Sequence, residues 1–427
     1  AIKGEEIVKS PAVDITNSLS GRLPGLVVIQ GSGEPGQDGA TINIRGINTL
    51  GNSSPLVVID GIPDRDGGIG RLNPQDVESI SVLKDASSAI YGARAANGVI
   101  LVTTKRGESG APKLEYTFNS GWSAPTVLPE MSSSFEYANI MNEHAIYNNI
   151  PVSEWGSAWS AIQNAGFYDS PTDGVTTLNA IYPPEAVAGF QSGNDPWRYP
   201  NTDWYGETFR DWAPQQRHNL SLSGGSEKVR YFTSLGYIHQ DAIYENSATF
   251  YDQYSLRMNI DADVNEYIKM NTGILTRRED RNFPTVPADD IFRMLQRGRP
   301  GENARWPSGE PGPDIENGEN PVTVTGGDTG YVKNPRDFIQ INGGINITNP
   351  WIEGLELIVN GAVDVNRSTS KTWETPWELY AWDGVTESSA GLTANVRSPF
   401  TDPRLRESNN SVLNTNLTGQ LKYNFTF

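Results

Sequence analysis

Cysteine is absent from all 427 residues, which removes disulfides, cysteine-held zinc and thiol catalysis together. Histidine is almost as scarce. His144, His218 and His239 are scattered, and neither a Ser-His-Asp nor an HExxH arrangement can be assembled around them. The 51 acidic residues guarantee accidental neighbours, so no glycosidase carboxylate pair stands out, and Asp289-Asp290 lacks the rest of an EF-hand loop. No catalytic residue, metal site or cofactor is therefore expected. Long apolar runs are missing too. No stretch of about 18 apolar residues exists and mean hydropathy is −0.47, which excludes ordinary membrane helices but leaves a β-barrel open, because alternating strands give only a weak hydropathy signal. Basic residues are outnumbered 33 to 51, for a net charge of −18, which argues against nucleic acid as a partner. Neither GxGxxG between a strand and a helix nor GxxxxGK[ST] occurs, so nucleotide phosphate binding is discounted. No signal peptide opens the chain, and Ala1-Ile2-Lys3-Gly4 is expected to be a mature or trimmed start.

What is abundant points to turns and amphipathic surfaces. With 43 glycines and 28 prolines, many turns and long loops are expected, and 11 tryptophans with 17 tyrosines suit membrane-interface girdles or sugar platforms. The first hundred residues read as a compact α/β unit. A short helix over 14–19 has Asp14 as its cap, Gly21 and Pro24-Gly25 end it, and strands are expected at 26–30, 41–45, 55–60, 77–83 and 99–104. A second short helix is expected over 85–91. Polar loops lie at 31–39, 46–54 and 61–70.

This unit resembles the plug domain of TonB-dependent outer-membrane transporters of the SusC/RagA family. The likeness is carried by Asn17-Ser18-Leu19-Ser20-Gly21-Arg22, Ile42-Asn43-Ile44-Arg45-Gly46, Val58-Ile59-Asp60-Gly61-Ile62-Pro63 and, most distinctively, Tyr91-Gly92-Ala93-Arg94-Ala95-Ala96-Asn97-Gly98. The block 199–240, with Trp204, resembles the same family's first barrel hairpin. The resemblance implies a plug over 1–110 and the first part of a transmembrane barrel over 111–427.

From Lys113 the pattern itself changes to long alternating segments. Leu114, Tyr116, Phe118 and Trp122 share one face, while Glu115, Thr117 and Asn119 share the other, as a lipid-facing strand requires. Similar segments recur at 216–224, 229–240, 250–264, 266–278, 337–348, 355–367 and 412–427, about eight strands in all. The last sets Leu413, Leu417, Leu421, Tyr423, Phe425 and Phe427 against Asn414, Asn416, Gln420, Lys422 and Asn424. Short connections at 224–227, 265 and 349–354 alternate with long ones at 123–215, 279–336 and 368–411, plus a shorter one near 241–249. Sorting by parity is the outer-membrane barrel arrangement. Eight strands fall short of the roughly 22 that close around a plug, so the chain is expected to be the N-terminal portion of a longer protein, or the rest of the barrel to be carried elsewhere.

Function follows as expectation. The resemblance implies TonB-dependent import across the bacterial outer membrane and no enzyme activity. It implies a SusD-like surface lipoprotein and TonB as partners, TonB acting through a segment absent here. The ligand is expected to be an oligosaccharide. An oligopeptide importer, or a surface receptor or adhesin that does not transport, are the alternatives. By resemblance the plug apices face the ligand with Ser32, Glu34, Gln37 and Asp38, with Asn48 and Asn52, and with Asp64, Arg65 and Asp66. Trp122 and Trp351 sit at strand ends and fit an interfacial belt. The other nine tryptophans (Trp155, Trp159, Trp197, Trp204, Trp212, Trp306, Trp373, Trp377 and Trp382) fall in the long loops, and Trp204, Trp306 and Trp377 are expected to stack on sugar rings. The resemblance implies that Arg45 and Arg94 lie against carboxylates on the barrel wall, and charges in a lumen need such partners, so both are expected to anchor the plug.

Overall fold

A computed structural model describes residues 1–46, 53–65, 67–84, 91–92, 94–172, 176–396 and 398–424. The expected helix over 85–91 lies almost wholly outside the described residues, as do Phe425 and Phe427.

The N-terminal unit is built around a five-stranded sheet, in the order Ile2–Lys3, Val77–Leu83, Val99–Thr104, Leu56–Ile59, Ile62–Pro63. A separate hairpin joins Leu26–Gln30 to Ala40–Ile44. Asp14 caps the helix Ile15–Ser18 through a 2.8 Å bond from the Thr16 amide. Asp60 and Gly61 turn the chain between Leu56–Ile59 and Ile62–Pro63, both at positive φ (50° and 83°), a conformation that Asp and Gly tolerate and that suits the twist of a tight hairpin. Ile7, Ile15, Leu19, Ile59, Ile80 and Ile100 are buried together in a core, each contributing about 1.5–3 kcal/mol through removal from water. The short strand Ile2–Lys3 and the helix Gly4–Val8 carry no pattern long enough to be read from sequence.

The remainder is an antiparallel wall. Its long strands are Gly110–Ser123, Ala213–Gly225, Val229–Asp241, Phe250–Asp263, Ile268–Phe283, Arg336–Thr348, Leu355–Glu374 and Arg404–Tyr423, each paired with the next. A ninth assigned strand, Gly330–Lys333, pairs with the same two neighbours as Arg336–Thr348, so the two are one strand interrupted at Pro335, which cannot donate to a ladder. Two strands run seven to eight residues further toward the long-loop rim than the alternation indicated. Trp373 consequently lies on a strand, correcting its assignment to a loop. The rim portions are polar on both faces and show no period of two.

The wall inverts the polarity of a soluble sheet. Gln253, Arg257, Asn259, Arg277, Glu279 and Gln340 are buried on its inner face, Gln253 to 1 % exposure, while Leu235 on the outer face is 52 % exposed, with Leu256, Ile341, Ile345, Leu413 and Leu417 also outward. On the last strand the outward apolar residues run from Leu413 to Tyr423, ten residue steps, or about 33 Å of strand and about 25 Å of height at a barrel's tilt. Across the long-loop edge of this band runs an aromatic row, Phe118, His218, Tyr237 and Tyr254, with successive rings 4.8, 5.9 and 5.1 Å apart. Trp122 lies exposed at the same rim, and Trp351 at the short-turn rim. Amphipathic rings at both edges of an apolar band mark the two membrane interfaces.

The plug unit meets this inner face through polar groups. Arg65 lies buried against Asp364, 2.6 Å away, and donates to Asn342 at 2.8 Å. Arg106 reaches Asp261 at 2.6 Å. From the wall, Arg257 reaches Asp76 at 3.3 Å and Asp60 at 3.8 Å, and Ser234 donates to Asp76. Asn73 donates to Asn219 at 2.7 Å, and Asn259 to the Lys105 carbonyl at 2.7 Å. Two expectations are corrected by this seat. Arg94 pairs at 3.1 Å with Asp64 of the plug itself, both largely exposed, and not with the wall. Arg65, expected at the ligand, is an anchor. Arg45 is exposed at the end of Ala40–Ile44 with φ 60°, its amide donating to the Gly25 carbonyl.

Two outcomes are expected. Ile341→Arg places a charge in the apolar band and costs about 2–4 kcal/mol, measurable as a lowered urea midpoint of the barrel in bilayers; an unchanged midpoint contradicts the lipid-facing assignment. Arg65→Ala breaks the buried Arg65–Asp364 pair and loosens the plug by about 3–5 kcal/mol, whereas Arg94→Ala costs under about 1 kcal/mol. Hydrogen exchange across Leu56–Ile59 separates them, and equal exchange in both variants contradicts the seat described here.

Candidate functional site

The apex loop between Leu26–Gln30 and Ala40–Ile44 is held by short-range bonds. Glu34 N–H donates to Ser32 Oγ at 3.1 Å, and Gln37 N–H to the Glu34 carbonyl at 2.9 Å. Asp38 turns inward, where Arg71 grips it at 2.6 Å and also reaches Asp14 at 3.5 Å, with the guanidinium 4.7 Å from the Tyr251 ring centre on the wall. Gly36, at φ 77°, lies so near that wall that a Cβ there would stand 2.8 Å from the Tyr251 ring. Only glycine permits this conformation at this approach. The loop is thus pinned on one side, and Glu34 is presented to the other.

That other side is a cavity of about 1050 Å³. The plug contributes Ser10–Val13, Asn17, 30–35, Gln37 and Asp38. The wall and its connections contribute 122–128, 240–244, 283–289 and Phe292. Its long-loop position places it at the outer end of the barrel. The Glu34 carboxyl is pushed up to about 7, first by burial and then by the neighbouring Asp289. Burial, and then Glu34, raise the Tyr244 hydroxyl. Both shifts favour neutral forms where charge is poorly solvated.

Ser32, Glu34, Gln37 and Asp38 all line this cavity, though Asp38 is already engaged by Arg71. Asp64 and Arg65 are elsewhere, in the exposed pair and the wall seat already described. Asn48, Asn52 and Asp66 lie outside the described residues. The tryptophan expectation is corrected. Trp204 is 1 % exposed in a loop core with Tyr205, Phe209, Ile291 and Met294, its indole N–H donating to the Arg299 carbonyl at 3.0 Å. Trp306 stacks on Trp197 at 5.6 Å and donates to the Tyr380 carbonyl, and Trp377 is buried with Leu379 and Phe400. Their faces are covered by the protein, so they offer no sugar platform.

Gln240, Tyr244, Asp289 and Phe292 were not anticipated in the site. The last two belong to the helix Ala288–Arg297, whose start was legible as Pro287 followed by two acidic residues in the first turn. The same holds for the helix Ser134–Asn149, where Ser133 and Glu136 form a reciprocal capping box. Among the described residues no group of three or more His, Asp or Glu side chains is arranged to hold a metal.

Residues 1–99 match the TonB-dependent receptor plug domain. TonB-dependent receptor P26 of Formosa agariphila is 34% identical over 275 residues, covering 63% of this chain and 24% of that protein. TonB-dependent receptor SusC of Bacteroides thetaiotaomicron is 34% identical over 257 residues, covering 58% of this chain and 21% of that protein. Among solved structures, the RagAB peptide importer in its closed-closed state superposes with a TM-score of 0.68 at 21% identity, covering 100% of this chain and 45% of that chain, a likeness of fold. The chain spans about a quarter of the length of the SusC and P26 relatives. The matched plug, these relatives and the inverted antiparallel wall together make this a chain of the SusC/RagA-like TonB-dependent transporters of the bacterial outer membrane.

Proposed function

We propose that the protein to which this chain belongs imports an oligosaccharide or oligopeptide across the outer membrane, the ligand binding between the first plug apex and the long loops. The observation that carries the reading is the cavity of about 1050 Å³ between those two elements, at the upper end of the about 300–1000 Å³ usual for ligand sites. The RagAB importer supports the peptide reading by its described cargo; the oligosaccharide reading rests on the family resemblance alone. Burial of Trp204, Trp306 and Trp377 withdraws the argument that favoured sugar.

Transport requires the plug to leave its seat or deform within it. Its own apolar core is internal, whereas its contacts with the wall are largely ion pairs and amide hydrogen bonds. Water entering the lumen can replace such contacts one by one, so a pull can free the plug without exposing its core. TonB supplies that pull from the periplasm, and a SusD-like surface lipoprotein closes the loop side over bound ligand. The family resemblance supports both partners.

Deleting the TonB-contacting segment of the full-length protein is expected to abolish uptake while leaving ligand binding intact. Unchanged uptake overturns energised import and favours a receptor or passive pore.

A further inference from the structure

The cavity is lopsided in charge. Its lining carries the carboxylates of Glu34, Asp38, Asp241 and Asp289 and, among the described residues, no lysine, arginine or histidine. Two of the four are answered from behind: Asp38 by Arg71 at 2.6 Å, and Asp241 by Arg210 at 3.8 Å and His239 at 3.3 Å. Glu34 and Asp289 face no cation among the described residues. They come from opposite sides, one on the plug apex and one in the first turn of the helix Ala288–Arg297. A second observation is independent of these acids. Gln240, only 7 % exposed, lines the same cavity with its Oε1 unpartnered, and Asn334 Oδ1 there is unpartnered too. A buried acceptor without a donor costs about 1–3 kcal/mol. The cavity therefore offers unpartnered acceptors and negative charge, and among the described residues no cation lines it to answer them.

We propose that this cavity takes a ligand bearing a primary ammonium group, held between Glu34 and Asp289, with Gln240 accepting from a neighbouring N–H or O–H. The inference rests on the import reading only in treating the cavity as the ligand site. It excludes anionic oligomers and disfavours neutral glucans. Two sources share the chemistry, a peptide's amino group and an amino sugar. The groups facing Glu34 are Asp289 from the helix and Tyr244 from the 242–249 connection, so no described residue brings positive charge to it. With the free carboxyl near 7, an incoming ammonium displaces the proton Glu34 holds: the O–H bond breaks, the proton passes to buffer, and the carboxylate pairs with the nitrogen.

The test is calorimetry on the intact transporter in detergent at pH 7, with two matched pairs of probes: pentaglycine with a free amino terminus against its N-acetylated form, and a glucosamine hexamer against the N-acetylglucosamine hexamer. At least one amine form is expected to bind tenfold or more tighter than its acetylated partner. Which pair responds identifies the source. The preference shrinks at pH 5.5, where Glu34 keeps its proton, and falls within twofold in Glu34→Gln and Asp289→Asn. Heats in phosphate and Tris show proton release that Glu34→Gln removes. No amine preference in either pair, with or without binding, overturns the inference, as does a preference that survives both substitutions. Either result leaves the import reading to the TonB deletion.

Discussion

A sheet whose inner face carries Arg257, Arg277, Glu279 and Asp364 cannot stand beside hydrocarbon on its other side unless something polar fills the space it surrounds. Bringing those charges away from bulk water costs several kcal/mol each, and the plug answers the cost in kind. Its Asp60 and Asp76 meet Arg257, its Arg65 meets Asp364, and its Arg106 meets Asp261. Charges are exchanged in both directions, so neither partner is simply a cation donor to the other. Every other feature follows from this match. The outer face is free to be apolar because the inner face has a partner, and the apex loop is held at the outer rim because the plug beneath it is fixed in register.

The division of labour between apolar and polar contact also fits movement. The N-terminal unit buries most of its aliphatic side chains within itself and presents largely polar groups to the wall, apart from Leu275 of the wall, which joins its core, and Val13, which packs on Ile238 and Tyr251 of the wall. Interfaces of that composition resemble those between separable bodies. Part of the network stays within the wall, where Arg277 and Arg281 flank Glu279 and Arg277 lies 4.2 Å from the Phe338 ring centre. The inner face therefore retains some of its pairing when the plug shifts.

Much of this was legible in the chain. Period-two alternation marked all eight long strands, and loop length sorted itself by rim. Asp14 announced its cap, whereas the hairpin turn at Asp60-Gly61 fell at the boundary between an expected strand and an expected loop. What escaped has physical reasons. Alternation identifies a face but not which charge it will meet, because pairing across 299 positions, as between Arg65 and Asp364, depends on how two separately folded units dock. Arg94 was expected to anchor and Arg65 to meet ligand, and only docking places Arg94 outside and Arg65 inside. Tryptophans concentrated in long loops looked like a ligand platform, yet long loops need cores of their own, and large aromatic rings build them. The helix Ser134–Asn149 was hidden by weak amphipathicity, although its Ser133–Glu136 box was there to be read. The helix Ala288–Arg297 is amphipathic, with Ile291, Met294 and Leu295 on its buried face, and both that face and its Pro287-Ala288-Asp289-Asp290 start were legible.

The central claim is that the plug's polar surface seats against the inward face of a membrane-spanning wall. The absence of cysteine permits a direct test, since a pair introduced at Asn73 and Asn219, whose amides lie 2.7 Å apart, would otherwise meet no thiol in this chain. In intact cells, a short bifunctional thiol reagent is expected to join Asn73→Cys to Asn219→Cys, giving one cross-linked species that blocks uptake until reduced. Failure to cross-link, while a control pair at neighbouring wall positions Asn219 and Gly236 does so, would contradict the account.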